Sequence, residues 1–247
     1  MAGDLYVGVV CGDGPCLAVA FGPDGYDHTK RCDSIGDCWS GYEETAARIL
    51  VDIPIGLVES GDPVRRCDEL ARTVLGPRSV AVFDPPVREA TRKRRYSTAN
   101  RVHERKSGQE LSEAAFARRE GIAMCDELLR EVPEAAAVVR ESHPELCFRA
   151  FAGEPLEYPR ETAGGYAERM RTLVNYDRDA APLVQRVAEA TDGHDVTVAD
   201  VLDTVALAYT ARPADGDLRT LPSEPPTDAA GLPMELVYRA ETPLSTE

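Results

Sequence analysis

Lysine is almost absent from this sequence. Of 28 basic residues only Lys30, Lys93 and Lys106 are lysines, against 43 Asp and Glu and a formal net charge of −15. A surface this acidic and this poor in Lys resembles that of proteins from a halophilic archaeon, where the charge answers the solvent and not a partner. High salt screens its repulsion of nucleic acid to within a few ångströms, so acidity does not exclude that class of ligand. Long apolar runs are missing too, and none approaches the roughly 20 residues of a membrane-spanning helix. No basic segment followed by an apolar one opens the sequence, so a cytoplasmic protein is expected. The seven cysteines, Cys11, Cys16, Cys32, Cys38, Cys67, Cys125 and Cys147, form no C-x-x-C pair. That removes the common zinc spacings and leaves small buried hydrophobes as their expected role, with a structural zinc on the first four as the alternative. Internal repeats and low-complexity segments are also lacking.

What remains is globular in composition, with 43% hydrophobic and 29% charged residues. A length of 247 residues buries a sizeable core, and a single domain over 1–247 is expected, with a basic insertion at about 84–110 and a C-terminal extension at about 212–247. Tyr6–Cys11 and Cys16–Phe21 are apolar runs around Gly12-Asp13-Gly14-Pro15, which predicts a β-hairpin. Tyr26–Ile35 predicts a third, edge strand, and Tyr42–Arg48 a helix crossing over to the run Ile49–Leu57. The opening order is therefore βββαβ.

Ile49-Leu50-Val51-Asp52-Ile53-Pro54-Ile55-Gly56-Leu57 reads as a strand buried on both faces, where a lone carboxylate is costly. Asp52 either accepts backbone N–H bonds from the following turn or serves as a ligand or acid at the carboxyl edge of the sheet. Downstream, Cys67–Leu75 predicts a short helix, Ser79–Phe83 a brief strand and Leu111–Glu131 a long helix with Phe116, Ile122, Cys125, Leu128 and Leu129 on its apolar side. Arg88–Lys106 holds eight basic residues against Glu89 and Glu104, either a solvated insertion or a phosphate-contacting loop. Glu141-Ser142-His143-Pro144-Glu145-Leu146-Cys147-Phe148 predicts a strand followed by an acidic, imidazole-bearing turn. Helices are expected over Tyr166–Val174, Ala180–Thr191 and from the cap Thr197 to about Thr210. On the last, about 100° per residue puts Val198, Val201, Leu202, Val205 and Tyr209 on the core face and Asp200 and Asp203 on a more polar side. One late edge strand, Leu232–Tyr238, follows the prolines Pro222, Pro225 and Pro226.

Asp52, Glu141 and Asp203 thus come from three elements that converge on one end of a sheet. Such carboxylates repel unless a cation neutralises them, and Mg²⁺ or Mn²⁺ is the natural choice, with oxygen ligands and positions open to water and phosphate. Two such ions promote phosphodiester hydrolysis. His143 and Glu145 are then candidates for proton transfer or substrate contact.

These same residues carry a resemblance. The βββαβ start, Val51–Leu57, Arg65…Cys67-Asp68…Ala71-Arg72…Leu75-Gly76…Arg78 and Ser79…Val82-Phe83…Pro86 resemble one family in order. So do Glu141…His143-Pro144-Glu145…Cys147-Phe148, Asp200…Leu202-Asp203…Ala206-Leu207-Ala208 and Gly231-Leu232-Pro233-Met234-Glu235. The family is domain of unknown function 429, described as predicted nucleases of RNase H-like fold. The resemblance implies an α/β, RNase H-like fold with a mixed sheet, helices on both faces and helical insertions, and it implies metal-dependent cleavage of nucleic acid. Asp52, Glu141 and Asp203 would be the ligands and Arg65, Arg72, Arg78 and Arg88 the phosphate contacts. One position departs from RNase H-like nucleases, whose first strand carries an acid: here Gly8-Val9 is followed by Val10, and Asp13 lies only in the turn beyond. A catalytically impaired module that binds nucleic acid or protein is therefore a second expectation. A nucleotide-handling enzyme of actin-like architecture, using Gly12-Asp13-Gly14 as a phosphate turn, is a third.

Overall fold

The computed structural model describes residues 4–12 and 15–246. Asp13 and Gly14 lie outside the described residues, so the substitute acid and the phosphate turn expected there have no structural account. The chain opens with β1 (Leu5–Cys11), β2 (Cys16–Gly22), β3 (Gly25–Cys32), α1 (Ile35–Tyr42) and β4 (Ala46–Val51). This is the βββαβ order read from the sequence. The helix, however, lies earlier than Tyr42–Arg48, because Ser34 caps it through a 3.1 Å bond from the Asp37 N–H to its hydroxyl.

The middle of the chain runs α2 (Arg66–Leu75), a 3-10 helix at Gly76–Ala81, α3 (Arg88–Thr91), α4 (Tyr96–Ser107), α5 (Glu113–Ala117), α6 (Arg119–Glu131) and α7 (Pro133–Val138). After β5 (Val139–Glu141) come α8 (Pro144–Ala152), α9 (Ala163–Tyr176), α10 (Ala180–Ala190), α11 (Val198–Ala211), β6 (Asp217–Leu221) and β7 (Leu236–Ala240). Two expectations are corrected here. The strand expected at Ser79–Phe83 is 3-10 helix followed by irregular chain, with Val80 82% exposed where a strand would have buried it. The late edge strand is a hairpin in which β7 pairs with β6, and it begins only at Leu236.

The main sheet has the order β3-β2-β1-β4-β5, with β2 antiparallel to both neighbours and β1, β4 and β5 parallel. Its mixed five-stranded form agrees with the α/β, RNase H-like architecture expected. Alternation along the strands sends Val7, Val9, Ile49 and Val51 to one face, against α1, α6 and α7. Val10, Leu17, Val19, Phe21 and Leu50 go to the other, against α8 to α11. Val10, at the first-strand position where the resemblance implies an acid, is thus a packed apolar residue.

One glycine sets the distance of α11 from the sheet. A Cβ on Gly8 would stand 2.2 Å from the Ala208 nitrogen and 2.6 Å from the Thr204 oxygen, so only glycine lets the α11 backbone lie directly on β1. Asp203, one residue before Thr204, is carried to the sheet by that contact. Among the described residues no helix is long and apolar enough to cross a membrane.

A carboxylate and arginine cleft

The parallel strands end on one side, and a cleft of about 420 Å³ opens there. Asp52 follows the last residue of β4 and ties two strands together. Its N–H donates to the Val9 carbonyl at 3.2 Å and its Oδ1 accepts from the Cys11 N–H at 3.0 Å. The Arg118 guanidinium donates to Asp52 Oδ2 at 3.1 Å and to the Asp52 carbonyl at 2.7 Å. Arg118 can reach because the long helix expected over Leu111–Glu131 breaks there into α5 and α6.

Glu141 ends β5 and faces the same cleft, but nothing of it is left free. Oε2 accepts from the Ile55 N–H at 2.6 Å and from Arg65 Nη1 at 2.8 Å, and Oε1 accepts from Arg65 Nη2 at 2.8 Å. Arg65 also donates twice to Asp68 at 2.7 Å and to the Ile55 carbonyl at 2.8 Å. Burial pulls the Arg65 pKa down, but the Asp68 and Glu141 charges outweigh it and hold the guanidinium well above its ordinary value. Glu141, Arg65 and Asp68 therefore form a closed ionic unit that pins the loop after β4. Gly56 in that loop, at φ +77°, sits against Pro233 and Met234, which gives the Gly231–Glu235 segment its packing role.

The other acids are different. Glu145 lies in the first turn of α8, where His143 is the cap and Pro144 the first residue. Glu145 Oε1 accepts from Arg169, while the buried Oε2 has no partner among the described residues. Asp203 on α11 is 1% exposed; Oδ2 accepts from Arg160, and Oδ1 has no partner among the described residues. Burial pushes the Asp203 carboxyl up to about 8, with Arg160 pulling against it and the Glu145 and Asp52 charges adding to the rise. Asp203 thus senses the charges of Glu145 and Asp52, which line the same cleft. Asp200 closes a capping box with Thr197 at the start of α11 and, through Oδ1, also accepts from Arg160 at 3.3 Å.

His143 lines the cleft with both ring nitrogens engaged: Nδ1 accepts from the Glu145 N–H at 3.2 Å, and Nε2 stands 3.3 Å from the Ala81 carbonyl. Burial lowers its pKa, against the opposing charges of Glu145 and Asp52. The imidazole is therefore neutral and structural in this arrangement, and no ring nitrogen is free to take a substrate proton.

The arginines divide as well. Arg78 lines the cleft, buried, with Nε lacking a partner. Arg65 is in the wall but consumed by the closed unit. Arg72 lies outside the lining and pairs with Asp84 at 2.9 Å. Arg88 is outside too, held by Glu59 at 2.6 Å, Asp126 at 3.0 Å and Asp228. Sequence reasoning missed Arg118, Arg160 and Arg169, the three that meet the acids. No local spacing marks them, because each acts on a residue more than twenty positions away.

A divalent cation has a mixed fit here. Among the described residues no three His, Cys, Asp or Glu side chains already surround one point. Yet Glu145 Oε2 and Asp203 Oδ1 are buried carboxylate oxygens without donors, which native structures rarely leave. Mg²⁺ commonly takes one or two carboxylates and completes its shell with water and substrate phosphate, so this donor set suits it.

The basic segment Arg88–Lys106 is folded: α3 and α4 pack through Val87, Ala90 and Val102, and His103 is buried. Arg94, Arg95 and Arg101 remain exposed and enter none of the ion pairs among the described residues. This surface adjoins the cleft through consecutive residues, since Arg118 holds Asp52 while the Arg119 Nε donates to the Lys93 carbonyl at 3.0 Å.

No curated protein and no solved structure matches the chain. The model of a family described as proteins of unknown function, DUF429, matches residues 11–227, and the chain belongs to that family.

Proposed function

We propose that the protein is a metal-dependent phosphodiester hydrolase acting on nucleic acid, with Asp52, Glu145 and Asp203 as the acids of its site. The observation that carries this reading is the pair of buried, donorless oxygens, Glu145 Oε2 and Asp203 Oδ1, in one cleft with Asp52. Glu141, the ligand expected from sequence, is replaced in this role by Glu145, because its oxygens are already bound by Arg65 and Ile55. When bound, Mg²⁺ or Mn²⁺ supplies a Lewis acid and lowers the pKa of water. The chain's own residues do the rest. Arg78, with a free Nε in the wall, is placed to take a phosphate oxygen; Arg118, Arg160 and Arg169 hold the acids in position; Arg94, Arg95 and Arg101 offer backbone phosphates a contact surface.

The test is cleavage of single- and double-stranded DNA and RNA in high-salt buffer with Mg²⁺ or Mn²⁺. Cleavage is expected with either ion, and Asp203→Asn is expected to remove it while leaving the fold intact, because its partner Arg160 is one-third exposed. Absence of cleavage on all four substrates with both ions overturns the proposal. A second reading, a binding module that does not cut, is favoured by Val10 in place of an acid and by Arg118, Arg160 and Arg169 already neutralising the carboxylates. It predicts Mn²⁺-independent nucleic-acid binding without turnover.

A further inference from the structure

Four of the seven cysteines meet at one place, on the face of the sheet covered by α1. Cys11 on β1 and Cys16 on β2 are disulfide-bonded across the end of the first hairpin. The register of the next strand pair sets Cys16 directly opposite Cys32 on β3. Opposed residues in an antiparallel pair have Cβ atoms about 4.5–5.5 Å apart, so the Cys32 sulfur is neighbour to the disulfide. Cys38 lies on α1, which packs against β3, and shares a buried cluster with Cys32. All four are buried in one apolar cluster, which also takes in Cys125 from α6, whereas Cys67 and Cys147 lie in two others.

We propose that the row Cys11–Cys16–Cys32–Cys38 is a thiol–disulfide exchange site through which the bond migrates from Cys11–Cys16 to Cys32–Cys38. In the first step the Cys32 thiolate attacks Cys16 Sγ. The Cys16–Cys32 bond forms as the Cys11–Cys16 bond breaks, the electron pair leaves with Cys11, and Cys11 takes up the proton that Cys32 gave. In the second, Cys38 attacks Cys32 Sγ, the Cys32–Cys38 bond forms, and Cys16 leaves and takes the proton lost by Cys38. One disulfide and two thiols are present before and after, so no outside oxidant or reductant is consumed.

The surroundings fit that order of events. Interaction with Cys38 lowers the Cys32 pKa, with burial opposing and Lys30 assisting, while Cys38 itself is raised and keeps its proton. Cys32 is then the thiol that attacks first. The chemistry also reaches the cleft, because the backbone N–H of Cys11 is the donor to Asp52 Oδ1.

Trypsin makes the exchange readable. Cleavage after Lys30 and Arg31 leaves Cys11 and Cys16 in the peptide 1–30 and Cys32 and Cys38 in the peptide 32–48. The full-length protein would be held in glutathione buffers of graded poise, quenched with acid, alkylated with N-ethylmaleimide, then unfolded, digested and weighed without reduction. Three species are expected: peptide 1–30 closed on itself, the two peptides joined by Cys16–Cys32, and peptide 32–48 closed on itself. Cys32→Ser should lose the last two and keep the first. Cys38→Ser should lose only the third and accumulate the joined pair, which keeps the proposal testable if the first variant fails to fold. A parent protein showing only the closed 1–30 peptide, with Cys32 and Cys38 alkylated at every poise, overturns the proposal. One zinc per chain with all four cysteines unoxidised also overturns it, in favour of a tetrathiolate metal site.

Discussion

Glu141 and Asp203 line the same cleft, both almost wholly buried, yet every oxygen of Glu141 has a donor and Asp203 Oδ1 has none. Glu141 belongs to a closed unit with Arg65 and Asp68; Asp203 belongs, with Glu145, to an open one. A carboxylate in a low-dielectric site is stabilised by a full set of donors, and where the set is incomplete the remaining oxygen can take a proton, a cation or a substrate donor. The contrast therefore sorts acids that share one pocket into those that hold the fold and those left over for chemistry. Arg88 with Glu59, Asp126 and Asp228 repeats the closed pattern outside the cleft.

The sharpest way to break this comparison is to substitute on both sides and measure stability by urea unfolding. Arg65→Met leaves Asp68 and Glu141 buried together without their shared cation, and a loss of roughly 3–5 kcal/mol is expected. Asp203→Asn removes a buried acid whose Oδ1 has no donor, so stability should hold or rise. Equal losses on the two sides would end the distinction between closed and open acids.

How much of this was legible in the sequence follows from which interactions are local. The first two strands are legible because continuous apolar runs and Gly-Pro turns act over a few residues, and the Thr197 cap and α2 are legible for the same reason. Choosing between Glu141 and Glu145 was not, since it turns on where β5 stops after three residues and α8 starts. The His143-Pro144 pair, a cap followed by proline, is the local signal that puts Glu145 in a first helical turn. The partners of Arg88 are farther away still: Glu59, Asp126 and Asp228 come from three segments, so its basic neighbourhood looked unneutralised. Asp203 faced a polar side on a helical wheel, but α9 and its preceding loop cover that side and bury it.

A smaller effect is expected on the exposed part of the basic segment. Arg94, Arg95 and Arg101 enter no ion pair among the described residues, so replacing all three with Gln should leave stability within about 0.5 kcal/mol per site. Their loss should weaken nucleic-acid binding and flatten its salt dependence, by up to about 0.9 in the log–log slope for each phosphate contact removed. Fluorescence anisotropy over a range of salt reads both quantities. An unchanged slope would place the contact surface elsewhere and separate the cleft from Arg94, Arg95 and Arg101.

The smallest effect belongs to His103, which lies among basic residues in sequence and is buried in the structure. Its Nδ1 accepts from the Val87 N–H at 3.1 Å, so the folded protein holds it neutral just before Arg88 enters its closed network. Burial lowers its pKa below the ordinary 6.5, with Asp84 opposing only in part. As pH falls, the unfolded chain takes up the proton first, near 6.5, and the folded state loses stability from there down through its own lower value. Above that window the ring is neutral in both states and contributes no slope. His103→Gln keeps an acceptor and cannot titrate, so it should differ from the parent by no more than about 1 kcal/mol at neutral pH, the worth of one hydrogen bond. The gap should close as the pH is lowered toward 5, because the buried carboxylates titrate alike in both proteins and cancel in the difference. Urea unfolding of parent and variant across that range measures it, and parallel curves would mean that the closed network around Arg88 stands without a neutral ring beside it.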